Sequence, residues 1–279
     1  MRDGNHDGGQ GLDVLGPDEL GLLRALDAHL LSWADELGAV EQRYPFLMTP
    51  SDLDAIDYYD NFPHLGLAVA QADPEQLEKA LAGVDRPVTV LPAPVLREIR
   101  YQLPSAACYG VWFALRGATL SAGGSLFTTV ATCFRNEDHY EGLRRLLGFS
   151  MREIVFAGQA EGAQAHLTRS KERVLSLADR LGLKMTTETA TDPFFDRNGS
   201  RARMQMLFPV KEEFVVDGLA IGSVNYHRNF FGERCDFRLD DDTAAHTSCL
   251  AFGLERWVHV LAKRHGSAGA AADAVRELT

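Results

Sequence analysis

Four features that would each announce a function are missing or scarce in this sequence. It has no apolar run near the ~18 residues needed to span a membrane, and its opening, MRDGNHDGGQG, lacks the apolar stretch of a secretory signal. A cytoplasmic protein with no membrane contact is expected. It has no Lys/Arg-rich block, since 28 Lys and Arg face 39 Asp and Glu for a net charge of −11. Affinity for nucleic acid comes largely from neutralised phosphates, so extensive tRNA or DNA contacts are not expected. Cysteine is scarce as well: Cys108, Cys133, Cys235 and Cys249 are scattered, with no CxxC pair. That pattern suits free thiols or metal ligands better than a disulfide framework. Finally, no GxGxxG or Walker-type phosphate loop is present, so a bound nucleotide would have to be held by side chains and sheet residues.

What is present is an ordinary globular composition, 46% hydrophobic and 24% charged over 279 residues, enough chain for one large domain. Residues 1–16, rich in Gly and Asp, read as a disordered tail. Pro17 and Asp18 then open an amphipathic helix with Leu20, Leu23, Leu26, Leu30, Trp33 and Leu37 at helical spacing. A short helix is expected over Asp73–Leu81, a strand over Pro87–Leu91, and a long helix from about Gln164 to Leu181, closed by Gly182. Lys184–Thr189, Met204–Val216 and Leu219–Tyr226 read as strands, the last two joined by the tight-turn dipeptide Asp217-Gly218. Thr247–Arg264 passes from apolar strand to helix, and residues 266–279 read as a tail without identifiable chemistry. Hairpins imply antiparallel neighbours, so the expected class is α+β: an antiparallel sheet flanked by helices, in a single domain over residues 17–265.

The most informative stretch is Thr132–Phe156, TCFRNEDHYEGLRRLLGFSMREIVF. It reads as a β-hairpin with charged residues on one face. Arg135 with Glu137, the pair Arg144 and Arg145, and Phe149 would suit a nucleoside triphosphate, with arginines gripping phosphates and a ring stacking on the base. A hairpin laced with exposed ion pairs, each individually weak, fits the same residues equally well.

Two strings tip that balance. CFRNE…LLGFSMREIVF resembles the second signature motif of class II aminoacyl-tRNA synthetases, and CLAFGLERW resembles the third. Together with NFP, TDPFF and AIGSVNYHRNFFG, they make residues 44–263 similar to the archaeal seryl-type catalytic core. They are also similar to its truncated relatives, the amino acid:carrier protein ligases. The resemblance implies a class II catalytic core in which Arg135 contacts the α-phosphate, Glu137 the adenine amino group and Phe149 the adenine ring. Arg256 would lie on the other side of the nucleotide, and Arg144 or Arg145 would reach the outer phosphates. A fixed guanidinium at the α-phosphate could supply ~3 kcal/mol of transition-state stabilisation.

The same resemblance implies a catalytic zinc held by Cys108, Glu153 and Cys249, with the fourth position open to the substrate's α-amino group. Taken alone, the three residues read as two buried small side chains and a salt-bridge partner. Cys133 and Cys235 are assigned to the core, and His139, His227 and His246 to structural roles. Asp192 matches a family position near the amino acid, although an Asp before Pro193 also forms turns. Ser223 and Asn225 match positions that touch magnesium and substrate. Here the chain departs from the seryl pattern: a carboxylate expected near Ala220 is absent, and Glu212 or Glu213 would take its place as metal–phosphate ligand.

The implied activity is ATP-dependent activation of a small amino acid as its adenylate, followed by transfer to the phosphopantetheine thiol of a carrier protein. Zinc, magnesium with ATP, and a homodimer come with it. The alternatives are a tRNA-aminoacylating synthetase fragment and a non-catalytic regulatory paralogue.

Overall fold

The computed structural model describes residues 10–196, 198–207 and 210–278. Its centre is a seven-stranded sheet. In chain order the elements that build the sheet and its two layers are α1 (Pro17–Glu36), β1 (Val40–Glu41), α2 (Tyr109–Ala114), β2 (Ser125–Phe134) and β3 (Gly148–Gly158). They continue with α3 (Ala160–Arg180), β4 (Met185–Ala190), α4 (Ser200–Leu207), β5 (Lys211–Val216), β6 (Leu219–Arg228), β7 (His246–Gly253), α5 (Leu254–His265) and α6 (Ala268–Arg276). The strand order is β1-β2-β3-β7-β6-β5-β4. Every neighbouring pair is antiparallel except β1 with β2, so the sheet is mixed and the class is α+β.

The two faces of the sheet divide the work. Residues alternate sides along a strand, and in β3 both sides are covered, so Met151 to Gly158 are all buried. On one face Ile154, Leu250 and Phe252 pack with Leu22, Leu26 and Leu30 of α1, Val174 and Leu177 of α3, and Trp257 and Leu261 of α5. On the other face Val155, Ala157 and Cys249 pack with Tyr58, Trp112, Phe231 and Phe237. The second layer is irregular, and the clefts open there.

Arg152 faces the helices. It is 1% exposed and donates to Asp27 of α1 through Nε and Nη2 (2.6 and 2.9 Å) and to Glu41 of β1 through Nη1 (3.0 Å). This clamp ties the N-terminal helix to the middle of the sheet.

Several sequence expectations change. Residues 1–9 of the expected tail lie outside the described residues, whereas Gly11 accepts a hydrogen bond from the backbone of Leu147 (2.9 Å). The C-terminal stretch read as a tail contains α6, whose Ala271, Ala272 and Val275 are buried in the helical core. Met204–Leu207 belong to α4 rather than to a strand. Pro87–Leu91 form no strand; Pro87 and the flanking Pro92 and Pro94 offer no backbone donor to a neighbour. The hairpin is longer than Thr132–Phe156 suggests, because β2 and β3 pair from Ser125↔Ala157 to Phe134↔Gly148. The turn at Asp217-Gly218 forms as expected, with both residues at positive φ (51° and 75°).

Candidate active site

On the open face of the sheet, β3 presents Glu153 and β7 presents Cys249, while Cys108 enters from the residue just before α2. The thiols and one carboxylate oxygen all lie within 4.8 Å of one another, and all three residues are buried. Glu153 Oε1 accepts from the backbone N–H groups of Ala107 (2.9 Å) and Cys108 (3.1 Å). Its Oε2 is buried and has no hydrogen-bond partner, which is costly for a carboxylate.

Burial pushes the Glu153 carboxyl up to about 8, and the nearby Cys249 sulfur adds to the rise. The hydrogen bond with Cys249, burial and the Glu153 charge together push the Cys108 thiol well above its ordinary range. Three acids crowded in one dry spot cannot all ionise without a cation. Two sulfurs and one carboxylate oxygen at this spacing suit a tetrahedral divalent ion, for which Zn–S and Zn–O bonds of ~2.3 and ~2.0 Å would bring the donors to less than ~4 Å apart. The residues therefore fit zinc.

The triad lines a cleft of about 670 Å³. Ser223 and Asn225 of β6 face it at alternate positions, paired with Ala251 and Cys249 of β7. Asn225 Nδ2 donates to Ser223 Oγ (3.1 Å) and to Cys249 Sγ (3.2 Å). Of the three histidines, only His227 reaches the triad, with Nε2 3.7 Å from Cys249 Sγ and Nδ1 3.1 Å from Thr247 Oγ1. His139 is exposed beside Asp138, and His246 bonds Tyr226 Oη. Asp192 also lines the cleft, held by Gln205 Nε2 (2.9 Å). Cys133 and Cys235 are buried in apolar clusters.

A smaller pocket adjoins it, lined by Arg135, Glu137, Phe149, Glu213, Ala220, Ser223, Glu255 and Arg256 among others. Arg135 donates twice to Ser105 O (3.1 and 3.0 Å), and its Cζ lies 5.1 Å from the Phe149 ring centroid. The arginine itself thus covers a ring face that the resemblance gives to adenine. Arg256 donates to Arg144 O and Ala220 O (2.8 Å each); burial, followed by the charge of Arg135, lowers its pKa. Glu137 pairs with Arg145, whereas Arg144 leans on Glu141 (3.5 Å). The pocket measures about 90 Å³, and the Glu137 carboxylate that lines it is taken by Arg145.

One assignment is corrected. Glu212 does not face the pocket: it pairs with Lys171 of α3 on the opposite side of the sheet. Its neighbour Glu213 pairs across the strands with Ser223 and lines the pocket.

Sequence reasoning passed over Lys211, which lines both clefts, Gln205, which fixes Asp192, and Glu255, which accepts from the Ser150 backbone (2.8 Å) at the start of α5. The register of Lys211 opposite Asn225 is the signal that could have found the lysine.

No family model matches the chain. Among solved structures, the M. kandleri SerRS in complex with A. aeolicus tRNASec aligns with a TM-score of 0.82 at 19% identity, over 99% of this chain and 58% of its own. A Giardia lamblia prolyl-tRNA synthetase in complex with prolyl-adenylate aligns at 0.68 and 14% identity, over 93% and 49%. At such identities the likeness speaks for the fold, and that fold is a class II aminoacyl-tRNA synthetase-like catalytic core.

Curated proteins narrow the class. Amino acid–acyl-carrier-protein ligase 1 of Bradyrhizobium diazoefficiens is 30% identical over 256 residues, 86% of this chain and 76% of its own. Ligase 2 of the same organism is 32% identical over 241 residues, 80% and 69%. A type-2 serine–tRNA ligase of Methanothermobacter thermautotrophicus is 25% identical over 275 residues, 90% of this chain and 52% of its own. The chain belongs to the amino acid–acyl-carrier-protein ligase family.

Proposed function

We propose that the protein activates a small amino acid with ATP as an aminoacyl-adenylate and passes the aminoacyl group to the phosphopantetheine thiol of a carrier protein. The observation that carries this reading is the shared wall. Arg135, Met151, Ser223 and Ala251 line both the cleft that holds Cys108, Glu153 and Cys249 and the pocket that holds Glu137, Phe149 and Arg256. An amine bound in the first and an α-phosphate bound in the second would meet at that wall. Positioning of this kind, with charge neutralisation, is most of what phosphoryl-group chemistry asks of a protein.

In this reading Cys108, Glu153 and Cys249 would hold zinc, which would supply a Lewis-acid site for the amino acid's neutral amine. Asn225 orients the Cys249 sulfur, and Asp192 faces the amino acid. Arg135 and Arg256 neutralise the α-phosphate, and Glu213 and Ser223, which line the same pocket, would hold the magnesium that accompanies ATP. The substrate carboxylate attacks the α-phosphorus and pyrophosphate leaves. The acceptor thiol then attacks the carbonyl carbon, and AMP leaves. A cytoplasmic homodimer completes the proposal, and sedimentation of the purified protein tests the dimer.

Transfer to tRNA is the second reading, favoured by the serine–tRNA ligase similarity along 90% of the chain. The net charge of −11 disfavours a polyanionic partner. The experiment is amino-acid-dependent pyrophosphate exchange over a panel of amino acids, then transfer of labelled amino acid to phosphopantetheinylated carrier protein or to tRNA. Exchange with label on the carrier is expected. Label on tRNA alone, or no exchange with any amino acid, overturns the proposal.

A further inference from the structure

Among the described residues, Arg135 and Lys211 are the cationic side chains that line both the cleft and the pocket. Arg135 is committed, since it is held by two hydrogen bonds to Ser105 O and lies over Phe149. Lys211 is placed differently. It opens β5 directly opposite Asn225, and its side chain is 14% exposed. Its ammonium lies 3.4 Å from Asp192 Oδ1 and 3.1 Å from Glu213 Oε1. Asp192 lines the cleft and not the pocket; Glu213 lines the pocket and not the cleft. The lysine therefore bridges one carboxylate of each compartment.

A lysine needed only to hold Asp192 would be redundant, because Gln205 already clamps that residue through its backbone N–H (3.0 Å) and Oδ2 (2.9 Å). A lysine needed only to neutralise Glu213 would have no reason to reach the cleft. An ammonium on a flexible stem is a point charge that can change partners, which a guanidinium locked by a fork of hydrogen bonds does not do readily. Adenylation calls for such a charge where the two compartments meet. The amino acid's carboxylate and the α-phosphate are both anionic, and negative charge builds on the phosphorus-bound oxygens as they join.

We propose that Lys211 is a catalytic residue of adenylation. Its ammonium moves from Asp192 and Glu213 to the α-phosphate oxygens when the amino acid occupies the cleft and the nucleotide the pocket. The carboxylate oxygen forms the bond to phosphorus, the bond to the pyrophosphate oxygen breaks, and pyrophosphate leaves with the electron pair. Lys211 keeps its proton throughout. This inference rests on the function proposed above.

The test is steady-state pyrophosphate exchange with the zinc-loaded enzyme. Lys211→Met is expected to lower kcat about 100-fold, with little change in KM for the amino acid, and Lys211→Arg to recover part of the loss. Metal content and thermal unfolding should match the unaltered enzyme. A variant with raised KM and intact kcat would mean that the lysine only positions Asp192, and would overturn the proposal. If Lys211→Met is insoluble, Lys211→Gln is read in the same assay against the same two outcomes. Absence of exchange in the unaltered enzyme would instead overturn the parent reading, and this assignment with it.

Discussion

Arg152 and Glu153 are consecutive residues of one strand and each is 1% exposed, yet they are buried in opposite senses. Arg152 turns to the helices and meets Asp27, Glu41 and Thr128. Burial works against its charge, but the hydrogen bonds and charges of Asp27 and Glu41 together more than offset that, so its pKa is held above the ordinary value. Glu153 turns to the cleft and keeps one oxygen without a partner. A buried charge whose hydrogen bonds are complete serves the fold. One left incomplete beside two thiols is free to serve the proposed zinc, and this difference separates the two roles within about 3.3 Å of chain.

That contrast can be broken in order of expected effect. Glu153→Gln should leave stability within about 1 kcal/mol, because the amide still accepts from Ala107 and Cys108. It should lower pyrophosphate exchange by about 100-fold or more and strip the metal, as elemental analysis and denaturant melts will read. Arg152→Met should do the reverse, costing about 3 kcal/mol in denaturant unfolding by stranding Asp27 and Glu41 while activity per folded molecule persists. If the two variants give the same profile, the distinction fails.

His166 sharpens the contrast from the helix side. Its Nδ1 bonds Ser248 Oγ (2.9 Å), and burial lowers its pKa from 6.5 to about 4. A depressed histidine binds fewer protons folded than unfolded. Its contribution to stability is therefore present above pH ~6.5 and is lost as pH falls through about 4, up to about 3 kcal/mol in all. His166→Asn should flatten the stability–pH curve across that window, as measured by urea titrations at stepped pH. An unchanged slope would assign the acid sensitivity elsewhere. The smallest effect belongs to Glu212→Gln, which should shift stability by less than about 0.5 kcal/mol and leave exchange intact, whereas Glu213→Gln should slow exchange. Equal slowing by both would contradict the strand alternation that separates them.

Much of this was legible in the sequence because it depends on local periodicity. The first helix, the long helix after β3, the Asp217-Gly218 turn and the α+β class all follow from spacing and turn chemistry. The convergence of Cys108, Glu153 and Cys249 did not: nothing in their separation of dozens of residues encodes contact, and only the family resemblance joined them. Glu212 was misassigned for a physical reason. Two consecutive glutamates on a strand face opposite sides, and only the folded sheet shows that Glu212 shares the helix-facing side with Phe214 and Val216 while Glu213 takes the other. The helix α6 was missed because its buried face is mostly alanine, which leaves little contrast with solvent-facing positions. Lys211 was missed because a lone lysine at the start of a strand carries no signal until the strand opposite is known.

The two amides on Glu153 Oε1 have one further consequence. With that oxygen engaged by Ala107 and Cys108, the carboxylate can bite a cation with a single tooth. Calcium favours six to eight oxygens, often with both teeth of a carboxylate, and magnesium keeps an octahedron of hard ligands. A one-toothed carboxylate flanked by two sulfurs offers neither. For the zinc proposed above, the backbone ahead of α2 would thereby act as a filter on ion identity, and it would do so with peptide N–H groups that, proline aside, side-chain substitution leaves in place.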